Sequence, residues 1–449
     1  MKSFIILITI YVIAGTSIAL YVMKKKQSQE DYFIGGRGIG WLVTALTYSA
    51  TTYSAFMMVG LVGLSYSTGI GAFLFISAYL VSTLILLSVY GKKIWQLGKD
   101  YNLVSPMELF GRKYGSVTSG IGTIISVLAL IPYTSVQLIG LGIILGNFGI
   151  SYTSAVILAA AIICLWSFIG GLRGVALTDA LQGFFMLAAA IIAVWWAGKH
   201  FGGVELDRFP NKVWTPLFFI NLTLPWCFFA LTNPQVVQRL FIIKDKADFR
   251  KMLILFGLFG FLYTAIVTTM GFTAKHGTLI GLFPQVADRD SVIVGLLSRM
   301  SAWMSLPIAL SIIFASVSTS NSIILTLSSM MTRDEKRQRK SVWFGRGFII
   351  ILTLLVALFS LLRISYVVEL SVFSSRILLC VIPLFFGLFY LKTGGKFTGL
   401  FTLLGGFAAS LLFGYLKLSL SSVYTLAAAF LFFFIGMGID NFIKKRRLT

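Results

Sequence analysis

Charge is the scarcest commodity in this chain. Only 12% of its 449 residues are Asp, Glu, Lys or Arg, and just 15 are acidic. A soluble domain clothes itself with roughly a quarter charged residues, so a soluble globular fold is excluded. Histidine is nearly missing: His200 and His276 fall in expected connecting segments. There is no Gly-x-Ser-x-Gly turn, P-loop, His-Glu-x-x-His or Cys/His cluster. Hydrolysis or group transfer would need a base, a nucleophile or a metal that these residues do not offer, which argues against an enzyme. Cys164, Cys227 and Cys380 lie in apolar runs without metal-ligand spacing and read as small buried hydrophobes. Long polar stretches are missing too. The longest non-membrane segments run to roughly 20–30 residues, too short for a catalytic or output domain.

What fills the sequence instead is apolar, with a mean hydropathy of +0.91. Roughly 13 stretches of about 17–25 apolar residues follow one another, so the expected fold is an all-α polytopic membrane protein. They run approximately over 4–23, 40–66, 71–90, 117–145, 154–170, 178–197 and 216–231, then 252–273, 303–331, 344–362, 366–390, 397–416 and 423–443. The net charge of +22 suggests nucleic acid only until its placement is considered. If the first span runs outward to inward, the runs Lys24 to Lys26, Lys92-Lys93, Arg112-Lys113, Arg239 to Lys251, Arg333 to Lys340 and Lys444 to Arg447 all face the cytoplasm, as the positive-inside rule requires. No aromatic residues interleave with them as base-stacking would need. The expected surroundings are the bilayer and a small-molecule solute, with no nucleic acid and no obligate protein partner. The first apolar run is long and its flanking positive charge follows at Lys24 rather than dominating before it, unlike a cleavable signal. The expected location is the plasma membrane, multi-pass, with the N-terminus outside and the C-terminus cytoplasmic.

Two hydroxyl-rich runs interrupt this apolar background. One is Thr47-Tyr-Ser49-Ala50-Thr51-Thr52-Tyr53-Ser54. The other extends from Ser311 to Ser329 and holds seven serines, two threonines and an asparagine. Hydroxyls and unpaired backbone carbonyls suit a small hard cation stripped of water. Ser and Thr also bond back to their own helix, and small residues let membrane helices approach closely. The density of the runs and the broken second span favour an ion site. The seventh span carries Pro225 and is closed by Asn233-Pro234. Five spans separate the two interrupted ones, the interval expected of inverted repeats that each open with a discontinuous helix. The segment from Gln238 to Arg250 reads as a short interfacial helix, and Asp288 to Met300 as an outer amphipathic one.

Intramembrane ionisable residues are few, and each is a functional candidate because charge in hydrocarbon is costly. Asp179 stands at the start of the sixth span, either as a first-turn acid favoured by the helix dipole or on an ion pathway. Glu369 and Arg376 lie two turns apart on one helix face, roughly 10 Å. They either neutralise one another in a structural network or leave Arg376 free for a solute carboxylate.

In order and spacing of its motifs, the protein resembles the sodium:solute symporters, the group with sodium-coupled proline, pantothenate and sugar transporters. The markers are Asp31-Tyr-Phe-Ile-Gly-Gly-Arg37-Gly-Ile-Gly40-Trp41, Ala50-Thr-Thr-Tyr-Ser-Ala55, Gly60-Leu-Val-Gly63, Gly170-Gly-Leu-Arg-Gly-Val-Ala-Leu-Thr178-Asp179-Ala-Leu-Gln182, Asn233-Pro-Gln-Val-Val-Gln238-Arg239 and Ala315-Ser-Val-Ser318-Thr319 through Thr332-Arg-Asp334. The resemblance implies a leucine-transporter-type core of five plus five inverted spans. That core would cover 31–392, with repeats at about 39–200 and 212–392. An extra helix and linker at 1–30 would precede it, and two helices with a basic tail at 393–449 would follow. It also implies Na+ as coupling ion, with carbonyls of Ala50, Tyr53 and Ala315 and hydroxyls of Ser318 and Thr319 as ligands, and Asp179 on the inward sodium route. Around the break, Thr52, Ser54, Phe56 and Met57, with Trp226, Phe228 and Phe229 from the seventh span and Glu369 and Arg376, become solute-binding candidates. Phe56 and Met57 replace the polar groups of sugar-carrying relatives, and Arg376 stands where relatives carry a small residue or proline. The implied activity is sodium-coupled symport of an amino acid or small carboxylate, proline- or pantothenate-like, by alternating access. A proton-coupled or sodium-independent transporter of the same fold, a channel and a membrane sensor are the alternatives.

Overall fold

A backbone in hydrocarbon must satisfy its own hydrogen bonds, and helices do so within one segment. The computed structural model describes residues 2–23, 28–333, 341–362 and 366–446. Much of the basic runs at Lys24 to Lys26 and Arg333 to Lys340, the motif residue Asp334, and Arg447 lie outside the described residues. Among the described residues there is no β-strand, only one isolated parallel bridge between Ile39 and Ile243.

The helices are α1 (Lys2–Val22), α2 (Trp41–Thr52), α3 (Phe56–Thr68), α4 (Gly71–Asp100), α5 (Ser116–Gly146), α6 (Tyr152–Phe201) and α7 (Pro216–Phe241). They continue with α8 (Lys246–Leu279), α9 (Ala302–Thr332), α10 (Val342–Leu362), α11 (Val367–Tyr390), α12 (Lys396–Tyr415) and α13 (Ser421–Arg446). Eleven of them are long and apolar enough to cross a membrane among the described residues, against about 13 apolar stretches read from the sequence. The difference has two physical sources. One expected span is split into α2 and α3, and neither half has a span's length. Two others merge into the 50 residues of α6. At 1.5 Å per residue α6 would far exceed a bilayer if straight. It turns at Gly171, whose φ of +53° only glycine adopts readily. A Cβ there would meet the Tyr32 carbonyl at 2.6 Å.

The hydroxyl-rich helix α9 is the hub. Its most apolar window is wholly buried, against 17% for α1 and 28% for α13. Much of its oxygen is spent locally, as Ser311, Ser316, Thr326 and Ser329 all donate to carbonyls three or four residues back. α7 is broken into Pro216–Cys227, Phe229–Thr232 and Pro234–Phe241. The separate interfacial helix expected over Gln238 to Arg250 does not form. Its first part ends α7 and its last part starts α8. The segment after Asp288 forms a turn at Arg289–Ser291 and a helix at Val292–Leu297. It presses on α3 so closely that a Cβ on Gly63 would lie 2.0 Å from the Arg289 carbonyl oxygen.

Candidate ion site and solute cage

The end of α2 leaves carbonyls without amides. Ser49 accepts the last helical bond, from the Tyr53 N–H at 2.7 Å, and Tyr53 then departs from helical geometry at φ −93°, ψ 88°. The next carbonyls point at α9, and hydroxyls meet them. Ser318 Oγ donates to Ala50 O at 3.1 Å and lies 3.0 Å from Ala315 O. Thr319 Oγ1 lies 3.1 Å from Ala50 O and 3.2 Å from Thr51 O. Ala50, Ala315, Ser318 and Thr319 thus converge at a place with no solvent exposure. Tyr53 supplies the break in the helix, with its ring held among Phe256, Phe259 and Tyr263. The Thr51 carbonyl joins the cluster, a residue the sequence reading did not single out.

One turn deeper, the hydroxyls hand over to charge. Thr51 Oγ1 lies 3.0 Å from Ser322 Oγ. Asp179 Oδ2 accepts from Thr47 at 2.7 Å and Ser322 at 3.4 Å, and pairs with the Arg239 guanidinium at 3.5 Å. Arg239 also donates to Thr47 and Ser322. Both members of the pair are fully buried. Asp179 is therefore no helix cap: it lies well inside α6, beyond the Gly171 turn. Arg239, read from sequence as one of the cytoplasmic surface cations, is instead a core residue. Its neighbour Gln238 reaches Val104 O at 2.9 Å and Ser329 Oγ at 3.0 Å, tying α7 to α9.

On the other side of the break the lining turns aromatic. Gln137 Oε1 accepts from the Ala55 N–H at 3.1 Å, and Ser54 Oγ from the Phe56 N–H at 3.2 Å. The Phe56 ring stacks on Trp226 at 4.5 Å, and Trp226 on Phe229 at 5.4 Å. Tyr79 presents its edge to both, at 5.3 and 5.6 Å. Met57 is buried beside Phe56, and Phe228 bridges two pieces of α7. Thr52 Oγ1 and Trp226 Nε1 are buried with no hydrogen-bond partner, donors a solute could use. Among the lining residues, Tyr79 and Gln137 escaped the sequence reading, because each stands among scattered hydroxyls of a long span with no break or charge to mark it.

Glu369 and Arg376 do not pair with one another. Glu369, in the first turn of α11, binds Arg289. Arg376 turns to α13 and donates to Ser421 Oγ at 3.0 Å. Two helical turns are too far for their side chains to meet, and each finds a partner on another helix. Near Glu369, the buried carboxylate of Asp290 accepts from the Val367 N–H at 2.9 Å and so caps α11. Burial pushes the Asp290 carboxyl up to about 6, against the pull of that N–H and of Arg289.

Known proteins share this sequence pattern and this fold. Residues 32–390 match the sodium:solute symporter family. A sodium/pantothenate symporter of Haemophilus influenzae is 26% identical, over 97% of this chain and 94% of its own. The osmoregulated proline transporter OpuE of Bacillus subtilis is also 26% identical, over 98% and 95%. The fold is that of a Na+-coupled sialic acid symporter solved in a substrate-bound outward-open state, with a TM-score of 0.82 at 15% identity over 96% of both proteins. A nucleobase-cation-symport-1 family transporter in a closed conformation gives 0.62 at 13% identity, over 92% and 94%. These relatives are transporters, not enzymes. By its match over most of its length, the chain is a member of the sodium:solute symporter family.

Proposed function

We propose that the protein carries a small organic solute into the cell together with sodium, by alternating access. The observation that carries this reading is the meeting of the Ala50 and Thr51 carbonyls with Ser318 and Thr319 at the broken end of α2. Oxygens about 3 Å apart suit a small cation that takes ligands at roughly 2.3–2.6 Å, as calcium does. Without a cation the two hydroxyls donate to those carbonyls. With one, rotation of the hydroxyl hydrogens turns lone pairs inward with little movement of heavier atoms. Tyr53 and Ala315 complete the proposed ligand set through their carbonyls.

In this reading the protein traverses the membrane 13 times, with α2–α3 as one crossing and α6 as two. The first repeat runs from α2 to the end of α6 and the second from α7 to α11, each opening with a broken helix. Residues 1–30 and 393–449 flank this core. The N-terminus is outside and the C-terminus cytoplasmic, so the Asp179 end of the site faces inward and the Asp290 end outward. With Asp179 held by Arg239, its role on the inward route is that of a group sodium meets as the pair loosens.

The solute would sit among Thr52, Ser54, Phe56, Met57, Trp226 and Phe229. This lining has aromatic faces, few donors and no charge, which suits a compact amino acid or carboxylate with an apolar body and not a sugar. Its carboxylate would be met by the unpartnered Thr52 hydroxyl and Trp226 indole N–H. Arg376, engaged with Ser421, is left out of the cage, and Glu369 belongs to the outer contact. Two relatives carry pantothenate and proline by name, which supports this class. One sodium entering down 100 mV releases roughly 2.3 kcal/mol, enough for an approximately fifty-fold solute gradient.

The test is uptake into proteoliposomes of amino acids, short carboxylates, pantothenate and sugars, with sodium or potassium outside. Accumulation against a gradient that needs sodium is expected, and the Ser318→Ala/Thr319→Ala double variant should lower apparent sodium affinity by about thirtyfold or more. Full sodium dependence in that variant would show that the ion lies elsewhere.

A further inference from the structure

Away from the break in α2, the ends of α4 and α11 and the short helix Glu108–Tyr114 enclose a surface cavity of about 280 Å³. Its walls are Leu97, Leu103, Leu109 and Leu388, and its mouth holds Tyr101, Arg112 and Lys113. An apolar floor under two cations is an arrangement of opposites that water alone does not reward.

The cations differ in how far they are satisfied. The Arg112 guanidinium lies 3.7 Å from the Tyr101 ring centre. No carboxylate among the described residues pairs with it. Stacking leaves the planar donors of the guanidinium free at their edges. The Lys113 ammonium donates to the Gly387 and Leu391 carbonyls at the end of α11, which leaves one of its three N–H groups. Burial pulls the Lys113 pKa below its ordinary value, a cost that an adjoining anion would offset. The nearby acids are already engaged. Glu108 accepts from the Val104 and Ser105 amides and from Arg333, and Asp100 from Gln96.

Depth supplies the rest. Tyr90 and Tyr390 share a hydrogen bond, and with Phe389 they surround the Lys93 ammonium at 5.7–5.8 Å. Such an aromatic and basic girdle marks the edge of hydrocarbon. Leu97 follows Tyr90 by about two helical turns, roughly 10 Å along α4, which puts the cavity at headgroup level.

We propose that this cavity seats the headgroup of an acidic phospholipid, with its phosphate between Arg112 and Lys113 and its first acyl carbons against the leucines. The lipid would join the end of α4 to the end of α11. This inference does not depend on which solute the protein carries.

The full-length protein, delipidated in detergent, is titrated with phosphatidylglycerol or phosphatidylcholine and read by native mass spectrometry and thermal unfolding. One phosphatidylglycerol should be retained in preference to phosphatidylcholine and should raise the unfolding midpoint. Arg112→Gln, an exposed change that leaves the Lys113 cap of α11 intact, should weaken that retention about fivefold, the worth of one cation at the surface. Lys251→Gln, which alters a cation stacked on Trp41 elsewhere, should leave it unchanged. Equal retention of the two lipids, or of phosphatidylglycerol by the wild type and Arg112→Gln, would overturn the proposal. So would an equal midpoint shift from inorganic phosphate, which would make this a site for soluble anions.

Discussion

Two ion pairs bracket the broken helix, and they are built on opposite principles. In the proposed orientation, Arg239 and Asp179 lie on the inner side and expose nothing, whereas Arg289 and Glu369 lie on the outer side and expose 17% and 46% of their side chains. A pair exposed to that degree is screened by water and contributes little, about 0–1 kcal/mol. A buried pair cannot be parted without leaving a charge in low dielectric. The inner closure is therefore held by the cost of opening it, and the outer one by many weak contacts, including the Asp290 cap on α11 and the seat of Arg289 against Gly63. In this form of the molecule the outer side is the easier to open. For a carrier loaded from outside, that asymmetry has the useful sign.

Removing one member of the inner pair is the most severe way to break this comparison. Arg239→Ala leaves the Asp179 carboxylate alone in the core and should cost about 3–5 kcal/mol of stability, read as a large drop in the unfolding midpoint. The double variant Asp179→Asn/Arg239→Gln should recover most of that loss. If Arg239→Ala unfolds like the wild type, the pair is not holding the inner side.

The outer side should respond to pH. A carboxyl raised to about 6 in the folded protein, against about 3.9 unfolded, adds stability in full below pH 4. That stability is lost as pH rises through 6, and amounts to on the order of 3 kcal/mol over the whole window. The wild-type unfolding midpoint should fall between pH 4 and pH 6 relative to Asp290→Asn. Asp288, Arg289 and Glu369, which face Asp290, remain in both proteins and cancel in the difference. Parallel pH profiles would remove Asp290 from the outer closure.

Glu369→Gln should have the smallest effect, within about 1 kcal/mol and diminishing further with added salt. A loss as large as that of Arg239→Ala would mean that the two ends are equivalent after all.

The sequence made parts of this structure plain and left others hidden, for physical reasons. Helical spans are legible because hydrocarbon admits so few alternatives. The break at Tyr53 and the run through Ser318 and Thr319 stand out because hydroxyls are conspicuous in apolar surroundings, and the structure brings Ala50 and Thr51, just before that break, to Ser318 and Thr319. Arg239 was hidden because an arginine after Asn233-Pro234 looks like the start of a loop; only the folding of three α7 pieces beneath α9 buries it. Glu369 and Arg376 share a helix face, yet the choice of partner for each lies with Arg289 and Ser421, far away in sequence. The turn at Gly171 was legible as the stretch Gly170-Gly171-Leu172-Arg173-Gly174, which parts the apolar runs over 154–170 and 178–197; that one unbroken run of helical bonds would carry through it was not.

The bare glycine at 63 has a practical consequence. Where α3 touches the Arg289 backbone there is no room for even a methyl group, so Gly63→Ala installs a wedge at the outer seam. An otherwise ordinary protein, so doorstopped, would give a sample biased to one conformation, the kind of specimen that imaging and ligand soaking need.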